Sequence, residues 1–271
     1  MGYRQQFDLS GRVALLTGGL GILGRCFAEG LAEMGAHVAL SDLDGDAAAA
    51  FAADLGRRHG RPCFGTMCDV SKPDQVAQMV EASEKALGPI AILHNNAGNP
   101  PVDGERYFAR FEDYDLATWR EVLATDLDGM FLVAKEVIGR MAQRGGGAVV
   151  QTASIYGAFA SDQRIYEGSF YNGRPINNPA VYGTGKAGVI GLTRWLAAAY
   201  AEKGVRVNAL VPGGVESGQN ETFLKRYSAR VPMGRLAKRE EVVGALLWLV
   251  SDASSYVTGQ TIFVDGGLSA W

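Results

Sequence analysis

The feature that most constrains the fold of this 271-residue chain is a glycine-rich turn at residues 17–24, with the sequence TGGLGILG. An apolar run at residues 13–16 precedes the turn, and apolar residues at helical spacing follow it as far as Gly35. A second apolar run, at residues 37–40, is followed by Asp42. Strand, glycine turn, helix and strand in this order predict a βαβ unit with parallel strands.

The chemistry of this unit indicates a nucleotide site. Glycines let the backbone come close to a pyrophosphate, and a helix N-terminus offers unpaired N–H groups and the positive end of its dipole. A carboxylate at Asp42 accepts both ribose hydroxyls of an adenosine and repels a 2′-phosphate, and no Arg or Lys lies at residues 41–45. The unit predicts NAD, with NADP less favoured. The alternative is that the glycines only close a strand-to-helix turn.

The alternation of strands and helices continues to the end of the chain. Helical patterns cover residues 44–59, 71–87, 116–141, 178–201 and 240–249. Ser71 is the expected N-cap of the second of these, ahead of Pro73. Apolar runs predict strands at residues 13–16, 37–40, 63–67, 90–94, 148–150, 205–211 and 261–264. We expect one α/β domain over residues 1–271, a doubly wound (Rossmann) seven-stranded parallel sheet with helices on both faces.

Residues suited to binding or catalysis stand at the carboxyl ends of the predicted strands. In a doubly wound sheet the ligand crevice lies outside those ends, so we expect these residues to lie together. They are Gly18, Asp42, Asp69, Asn95, Ser154 and Pro212.

A tyrosine and a lysine, Tyr182 and Lys186, are four residues apart in a predicted helix. That spacing puts both side chains on one helix face. A lysine ammonium stabilises a neighbouring phenolate, and such a phenol exchanges a proton with an alcohol or ketone. The alternative for the pair alone is an ordinary amphipathic contact on a solvated helix.

Composition excludes several classes of protein. The net charge is −3 and no basic run occurs, so nothing indicates nucleic-acid binding. The three cysteines and three histidines lack metal-ligand spacing, so we expect no metal. Residues 1–12 contain no apolar signal segment, and no apolar run is long enough to span a membrane. We therefore expect a cytoplasmic protein.

The ordered set of motifs resembles the short-chain dehydrogenase/reductase family. The resemblance covers nearly the whole chain and extends to YVTGQ at residues 256–260 and VDGG at residues 264–267. The motifs that carry it are Thr17-Gly18, Asp69-Val70, Asn95-Asn96-Ala97-Gly98, Ser154, Tyr182 with Lys186, and Pro212-Gly213.

The resemblance implies a role for each motif. Tyr182 is the expected general acid/base, Lys186 supports its ionisation and holds the nicotinamide ribose, and Ser154 bonds the substrate oxygen. Asp69 contacts the adenine region, and residues 212–215 lie near the nicotinamide amide. The implied cofactor-binding residues are Gly18, Gly21, Ile22, Leu23, Gly24, Asp42, Asp69, Val70, Asn95, Ala97, Gly98, Tyr182, Lys186, Pro212, Gly213 and Val215.

Two single-residue departures from the family pattern affect the site. The sixth place of the glycine turn is Ile22 instead of glycine, and a glycine stands one place earlier, at Gly21. Asp126 occupies the place where the family has an asparagine that supports a water chain to the lysine. We count Asp126 among the candidate catalytic residues, although its carboxylate also attracts Lys186.

The third departure is an insertion, since Ser154 and Tyr182 are 28 positions apart. The extra polar residues, near positions 158–178, are expected to flank the substrate mouth as a wall for a hydroxyl-rich substrate, or to form a plain surface loop. They include Asp162, Gln163, Arg164, Tyr166, Glu167, Tyr171, Asn172, Arg174, Asn177 and Asn178. Similar insertions occur in family members linked to sugar and surface-glycan metabolism. Residues 214–235 are the expected lid.

The leading function is therefore an NAD(H)-dependent oxidoreductase that interconverts a secondary alcohol and a ketone on a polar, sugar-like substrate. The alternatives are reduction of a 3-oxoacyl-type ketone, a catalytically silent NAD-binding sensor or scaffold, and a lyase-type relative without cofactor. The resemblance also implies a homo-oligomer, a tetramer or dimer, formed through the long central helices and the C-terminal strand. Trp195, Trp248 and the apolar ending at residues 268–271 are candidates for burial there.

Overall fold

The structure is a computed structural model that describes residues 2–98, 102–171 and 173–271, with the backbone alone at Tyr171. One of the expectations, the place of Asn172 in the insertion, concerns a residue outside these ranges.

Seven parallel strands form the central sheet, as the apolar runs predict. In the sheet they stand in the order β3-β2-β1-β4-β5-β8-β9. Strand β1 is buried along its whole length, with Leu15 opposite Ala39 on one side and Leu93 on the other. Continuous burial is typical of a parallel sheet covered on both faces. The strands are β1 Val13–Thr17, β2 His37–Asp42, β3 Cys63–Met67, β4 Ile90–Asn95, β5 Gly147–Thr152, β8 Val205–Pro212 and β9 Thr261–Val264.

Helices cover both faces of this sheet. One core cluster joins α1, α2 and α9 to one face, and a second joins α3, α6 and the end of α7 to the other. Within the described ranges, no helix is both long and apolar enough to cross a membrane. The helices are α1 Ile22–Glu33, α2 Gly45–His59, α3 Pro73–Leu87, α4 Gly104–Tyr107, α5 Leu116–Leu123, α6 Met130–Gln143, α7 Ala180–Tyr200, α8 Glu221–Ser228 and α9 Val243–Val250.

Two details of the helix predictions are wrong. Helix α3 is capped at Lys72, because the Ser71 hydroxyl donates to Asp69 Oδ1 at 2.7 Å instead of accepting from the helix. The helix expected over residues 116–141 is not continuous. A π-helical turn, Ala124–Gly129, separates α5 from α6 and carries Asp126. A π turn inside a helix frequently marks a functional position.

The insertion has structure of its own that its sequence did not predict. It contains a 3₁₀ turn, Gln163–Tyr166, and a short antiparallel ribbon of β6, Phe170–Tyr171, and β7, Arg174–Pro175. A third core cluster lies beneath the insertion and the lid, where Ile165 packs with Phe223 and Tyr227 of α8. In the expected lid, residues 214–235, Phe223 is buried and Met233 is 64% exposed.

Candidate active site

A cleft of about 980 Å³ opens at the carboxyl ends of the sheet strands, where the topology places a ligand site. Most of the residues expected there line it together. They are Gly18, Gly21, Ile22, Leu23, Gly24, Asp42, Asp69, Val70, Ala97, Gly98, Ser154, Tyr182, Lys186, Pro212, Gly213 and Val215. Asn95 and Asp126 are not in this lining.

Two glycines of the turn sit where no other residue fits. Gly18 has a φ of +66°, and a Cβ added there would lie 2.9 Å from the Cα of Ala97. A Cβ on Gly24 would lie 2.0 Å from the Gly18 carbonyl oxygen. Gly21 is the N-cap of α1, so Ile22 is its first helical residue. The turn therefore keeps a bare backbone and an open helix N-terminus at the cleft despite its irregular glycine spacing.

The carboxylate of Asp42 fixes the shape of the turn. One oxygen accepts from the Leu20 N–H and the other from the Leu43 N–H, both at 2.8 Å. Each carboxylate oxygen retains acceptor capacity, because each has two lone pairs. Sequence reasoning missed the bond to Leu20. It also missed Lys72, a cation in the cleft lining.

Asn95 is not in the lining of the cleft, and its contact with a cofactor stays a prediction. Its side chain is 1% exposed and donates to Met130 O at 2.8 Å and Gln151 Oε1 at 3.0 Å inside the sheet. The next residue, Asn96, is in the cleft lining. Successive side chains of a strand point to opposite faces. The amide of Asn95 therefore lies inside the protein, whereas the amide of the next residue, Asn96, lies at the cleft.

Tyr182 and Lys186 lie on one face of α7, as their spacing predicts. Lys186 is 4% exposed, its Nζ is 5.8 Å from the centroid of the Tyr182 ring, and it donates to Thr152 O at 3.4 Å. Two intervening glycines allow the helix to pack closely. A Cβ on Gly183 would lie 3.0 Å from Tyr156 O, and one on Gly185 would touch the Asp126 Cβ at 3.4 Å.

Ser154 follows β5 and is 8% exposed. Its Oγ accepts from the Tyr156 N–H at 3.3 Å. Because that bond occupies a lone pair, the hydroxyl proton of Ser154 can be donated into the cleft.

Asp126 is fully buried in the π turn, behind the cleft wall. A Cβ added to Gly98 would lie 3.1 Å from Lys186 Nζ and 3.2 Å from Asp126 Oδ1, so the ammonium and the carboxylate both approach this backbone. Lys186 nevertheless remains beside the Tyr182 ring. The role of Asp126 as a candidate catalytic residue therefore stays a prediction, and the structure places it close to Lys186.

Buried tyrosines lie around the catalytic end of the cleft, and of these sequence reasoning named only Tyr166. Burial raises the pKa of Tyr166 to about 12, and it also raises the pKa of Tyr107, Tyr156 and Tyr227. The Tyr166 hydroxyl donates to the Tyr156 hydroxyl at 3.3 Å. The phenols are therefore neutral at pH 7, and they offer hydrogen bonds and ring faces instead of charge.

The polar insertion is bonded to the lid. Arg226 of α8 donates to Arg164 O at 2.6 Å and pairs with Glu167 at 3.2 Å. Asn220 donates to Phe170 O at 3.2 Å, and Arg230 pairs with Asp162.

On its other side the insertion contacts the segment around α4. Arg174 pairs with Glu105 at 3.1 Å, and Asn177 donates to Phe108 O at 2.8 Å. Gln163 bonds within the insertion itself, to Asn178 O. Many of the polar side chains that were expected to face a substrate therefore bond the insertion to α8 and to the segment around α4.

A buried histidine lies behind the cleft. Burial lowers the pKa of His94 to about 3, and its Nε2 is 2.9 Å from Thr152 Oγ1. Within the described part of the chain, no three His, Cys, Asp or Glu side chains are grouped to hold a metal ion.

Comparisons with known proteins agree with this architecture. The family model described as "Enoyl-(Acyl carrier protein) reductase" matches residues 21–269. The "3-oxoacyl-[acyl-carrier-protein] reductase FabG" of Aquifex aeolicus is 32% identical over 267 residues, covering 97% of this chain and 99% of that protein. The "D-threitol dehydrogenase" of Mycolicibacterium smegmatis is 34% identical over 269 residues, covering 96% and 94%.

Solved structures share the fold over nearly the whole chain. A short-chain type dehydrogenase/reductase from Mycobacterium marinum has a TM-score of 0.86 and 32% identity, with 100% of both chains covered. A gluconate 5-dehydrogenase from Burkholderia cenocepacia, in complex with NADP and tartrate, has the same TM-score and identity, with 98% of both chains covered. These similarities confirm the doubly wound fold predicted from the sequence.

The buried histidine makes stability depend on pH in a defined direction. Below pH 6.5 the unfolded chain protonates His94, whereas the folded chain does so only near pH 3. The free energy of unfolding therefore falls as the pH falls through this window. Between pH 6 and pH 4.5 we expect the wild type to lose about 2 kcal/mol more than His94→Gln.

Urea denaturation at several pH values measures this difference. His37→Gln, which replaces a half-buried histidine, is the control for any histidine substitution. Equal pH slopes for the wild type and His94→Gln would show that His94 does not cause the effect.

Proposed function

The chain belongs to the short-chain dehydrogenase/reductase family, and from that premise we propose that it is an NAD(H)-dependent oxidoreductase interconverting a secondary alcohol and a ketone on a polar, polyhydroxylated small molecule. The observation that carries the proposal is one cleft lined both by the glycine turn and by Ser154, Tyr182 and Lys186. Hydride transfer between an alcohol and a nicotinamide needs a nucleotide-binding site and a set of acid–base groups.

The bound nicotinamide supplies acceptance or donation of hydride. Tyr182 removes the proton from the alcohol oxygen or returns it to the ketone oxygen. The ammonium of Lys186, held by Thr152 O, stabilises the phenolate between these events. Ser154 donates its hydroxyl proton to the substrate oxygen and stabilises the charge that develops there.

The residues that would hold the cofactor are those that the family resemblance implies, and they line the cleft. The pyrophosphate would be held by the bare backbone of the turn and the N-terminus of α1, which begins at Ile22. Asp42 would accept from the adenosine ribose, and Asp69 and Val70 would border the adenine. Pro212, Gly213 and Val215 would border the nicotinamide amide. The narrow places at Gly18 and Gly24 support this fit, because a Cβ at either would collide with backbone.

The choice of NAD over NADP rests on Asp42. Its carboxylate repels a 2′-phosphate, and no cation is present at residues 41–45. Two observations favour the alternative. Lys72 lines the cleft, and the similar gluconate 5-dehydrogenase was solved with NADP.

The neutral phenols support a neutral substrate that carries hydroxyls. Tyr156 and Tyr166 form a hydrogen-bonded pair beside the catalytic end of the cleft, and burial keeps both uncharged. The relative named D-threitol dehydrogenase agrees with this class. The second candidate is reduction of a 3-oxoacyl ketone, which the family model and the relative named FabG favour.

Turnover tests the proposed reaction. We expect NAD⁺ with a panel of polyols and aldoses to give the absorbance of reduced nicotinamide. Tyr182→Phe should lower kcat by about 10²–10⁴-fold, because it removes the general acid/base. The control is Tyr200→Phe, at the far end of α7, which should keep its activity.

Other outcomes separate the alternatives. Faster reduction of a 3-oxoacyl thioester than of any sugar would favour the acyl-ketone function. NAD binding with no turnover of any substrate would favour a sensor or scaffold.

Cofactor selectivity tests the role of Asp42. We expect Asp42→Asn to raise the ratio of kcat/KM for NADP⁺ to that for NAD⁺ by about 10-fold or more, because it removes the repelling charge. Asparagine retains one oxygen that can accept from the Leu20 N–H. Lys72→Ala is the companion variant, and it should lower the use of NADP⁺ only if this lysine binds the 2′-phosphate. An unchanged ratio in Asp42→Asn would contradict the proposed role.

The expected homo-oligomer also remains a proposal. Phe131 of α6 and Trp195 of α7 are 49% and 65% exposed, which suits burial against a second copy. Trp248 instead packs against the core, and the indole N–H of the exposed Trp271 donates to Arg230 O at 3.1 Å.

Light scattering during gel filtration should give a mass of about two or four times 28.8 kDa. Trp195→Glu should lower that mass, because it places a charge in the interface. Tyr3→Glu, at an exposed aromatic residue of the N-terminus, is the control and should leave the mass unchanged. A monomeric wild type would exclude the assembly.

A further inference from the structure

The fully buried histidine of β4 belongs to a chain of hydrogen bonds that reaches the cleft. His94 Nε2 lies 2.9 Å from Thr152 Oγ1 on the neighbouring strand β5. Thr152 Oγ1 donates to Asn96 Oδ1 at 3.1 Å. Asn96 Nδ2 donates to the carbonyls of Thr17 and Gly18 at 3.2 and 3.4 Å. The chain thus runs from an interior imidazole to the first residues of the glycine turn.

The directions of these bonds determine the tautomer of His94. Asn96 turns its amide nitrogen to two carbonyls, so its oxygen faces Thr152 and accepts the only hydroxyl proton of that residue. Thr152 must then accept from His94, and the imidazole proton is on Nε2. Nδ1 is left as a buried acceptor with no partner among the described residues. Leaving it unpaired costs stability, so the imidazole is not explained as a packing residue.

Thr152 connects this chain to the catalytic helix. Its side chain takes part in the bonds that lead to Gly18, and its carbonyl accepts from Lys186 Nζ at 3.4 Å. The residue also lines the cleft. The side chain of Thr152 is therefore linked to the glycine turn, and its backbone carbonyl, at the end of β5, is the acceptor for the lysine.

We propose that His94 is a positioning residue that fixes the orientation of the Thr152 hydroxyl, and through Thr152 and Asn96 holds the glycine turn in its working position. The proposal rests on the nicotinamide site described under the proposed function. Asn96 is the link on the turn side, because a Cβ on Gly18 would lie 3.3 Å from its Nδ2. His94 itself contacts neither the cleft nor a catalytic side chain.

The affinity for NADH, measured from the fluorescence of NADH, tests the positioning role of His94 without requiring a substrate. His94→Leu should weaken NADH binding by about 3- to 10-fold, which corresponds to the loss of one hydrogen bond. Thr152→Val should weaken it to a similar degree, and the double variant should bind no worse than Thr152→Val alone, since all three break one chain. On any substrate the wild type turns over, kcat should follow the same pattern.

Two further variants separate positioning from stability. His94→Gln retains an N–H that can reach Thr152, and it should restore NADH affinity while still removing the imidazole. Ile92→Ala, at a buried site on the same strand, should lower stability and leave the NADH dissociation constant unchanged. If His94→Leu does not fold, Thr152→Val carries the test, with Thr152→Ser expected to bind more tightly than Thr152→Val because it keeps the hydroxyl.

Wild-type affinity in folded His94→Leu or in Thr152→Val would overturn the proposal, as would losses that add in the double variant. In either case the proposed nicotinamide site would still be supported, provided that the wild type binds NADH in the same experiment. A wild type that fails to bind NADH would overturn both the site and the proposal.

Discussion

The site depends on the contact between the ends of two neighbouring strands, β1 and β4. The strand order runs outward in opposite directions from this pair, and such a reversal opens a crevice at the carboxyl edge. Gly18 and Ala97 meet there with almost no space between their backbones. Because Gly18 has no side chain and Ala97 has only a methyl group, the backbone at the edge of the sheet is exposed to the cleft.

Buried charge is sparse in the cleft. Among the described residues that line it, Lys186 is the only buried cation, and it lies near the buried carboxylate of Asp126. Burial keeps the phenols of Tyr156 and Tyr166 neutral. Under the proposed function, discrimination among substrates would depend mainly on hydrogen-bond geometry and on the shape of aromatic surfaces.

The sequence predicted the sheet well because its inner strands are mostly buried and contain apolar runs, whereas the edge strands β3 and β9 are only partly buried. It also predicted the contact of Tyr182 with Lys186, since four residues make about one helical turn. It could not show which of two neighbouring side chains lines the cleft, as with Asn95 and Asn96. It also failed where side chains choose among partners, as with Ser71, whose hydroxyl bonds Asp69 instead of capping α3.

Other features lay beyond the reach of local patterns. The π turn at Asp126 and the tyrosines around Tyr182 arise from contacts between segments far apart in the chain. Tyr156 and Tyr166 look like ordinary loop residues until the insertion folds against α8. Sequence periodicity does not predict a contact between distant segments such as the insertion and α8, because helical and strand spacing describe one segment at a time.

The bonds between the insertion and α8 join two segments that lie far apart in the sequence. Arg226 and Arg230 contact residues 162–167 from α8 and the residues after it, and most of these partners are open to solvent. Solvent-exposed ion pairs are weak and are screened by salt. The attachment of the insertion to α8 should therefore weaken as the ionic strength rises.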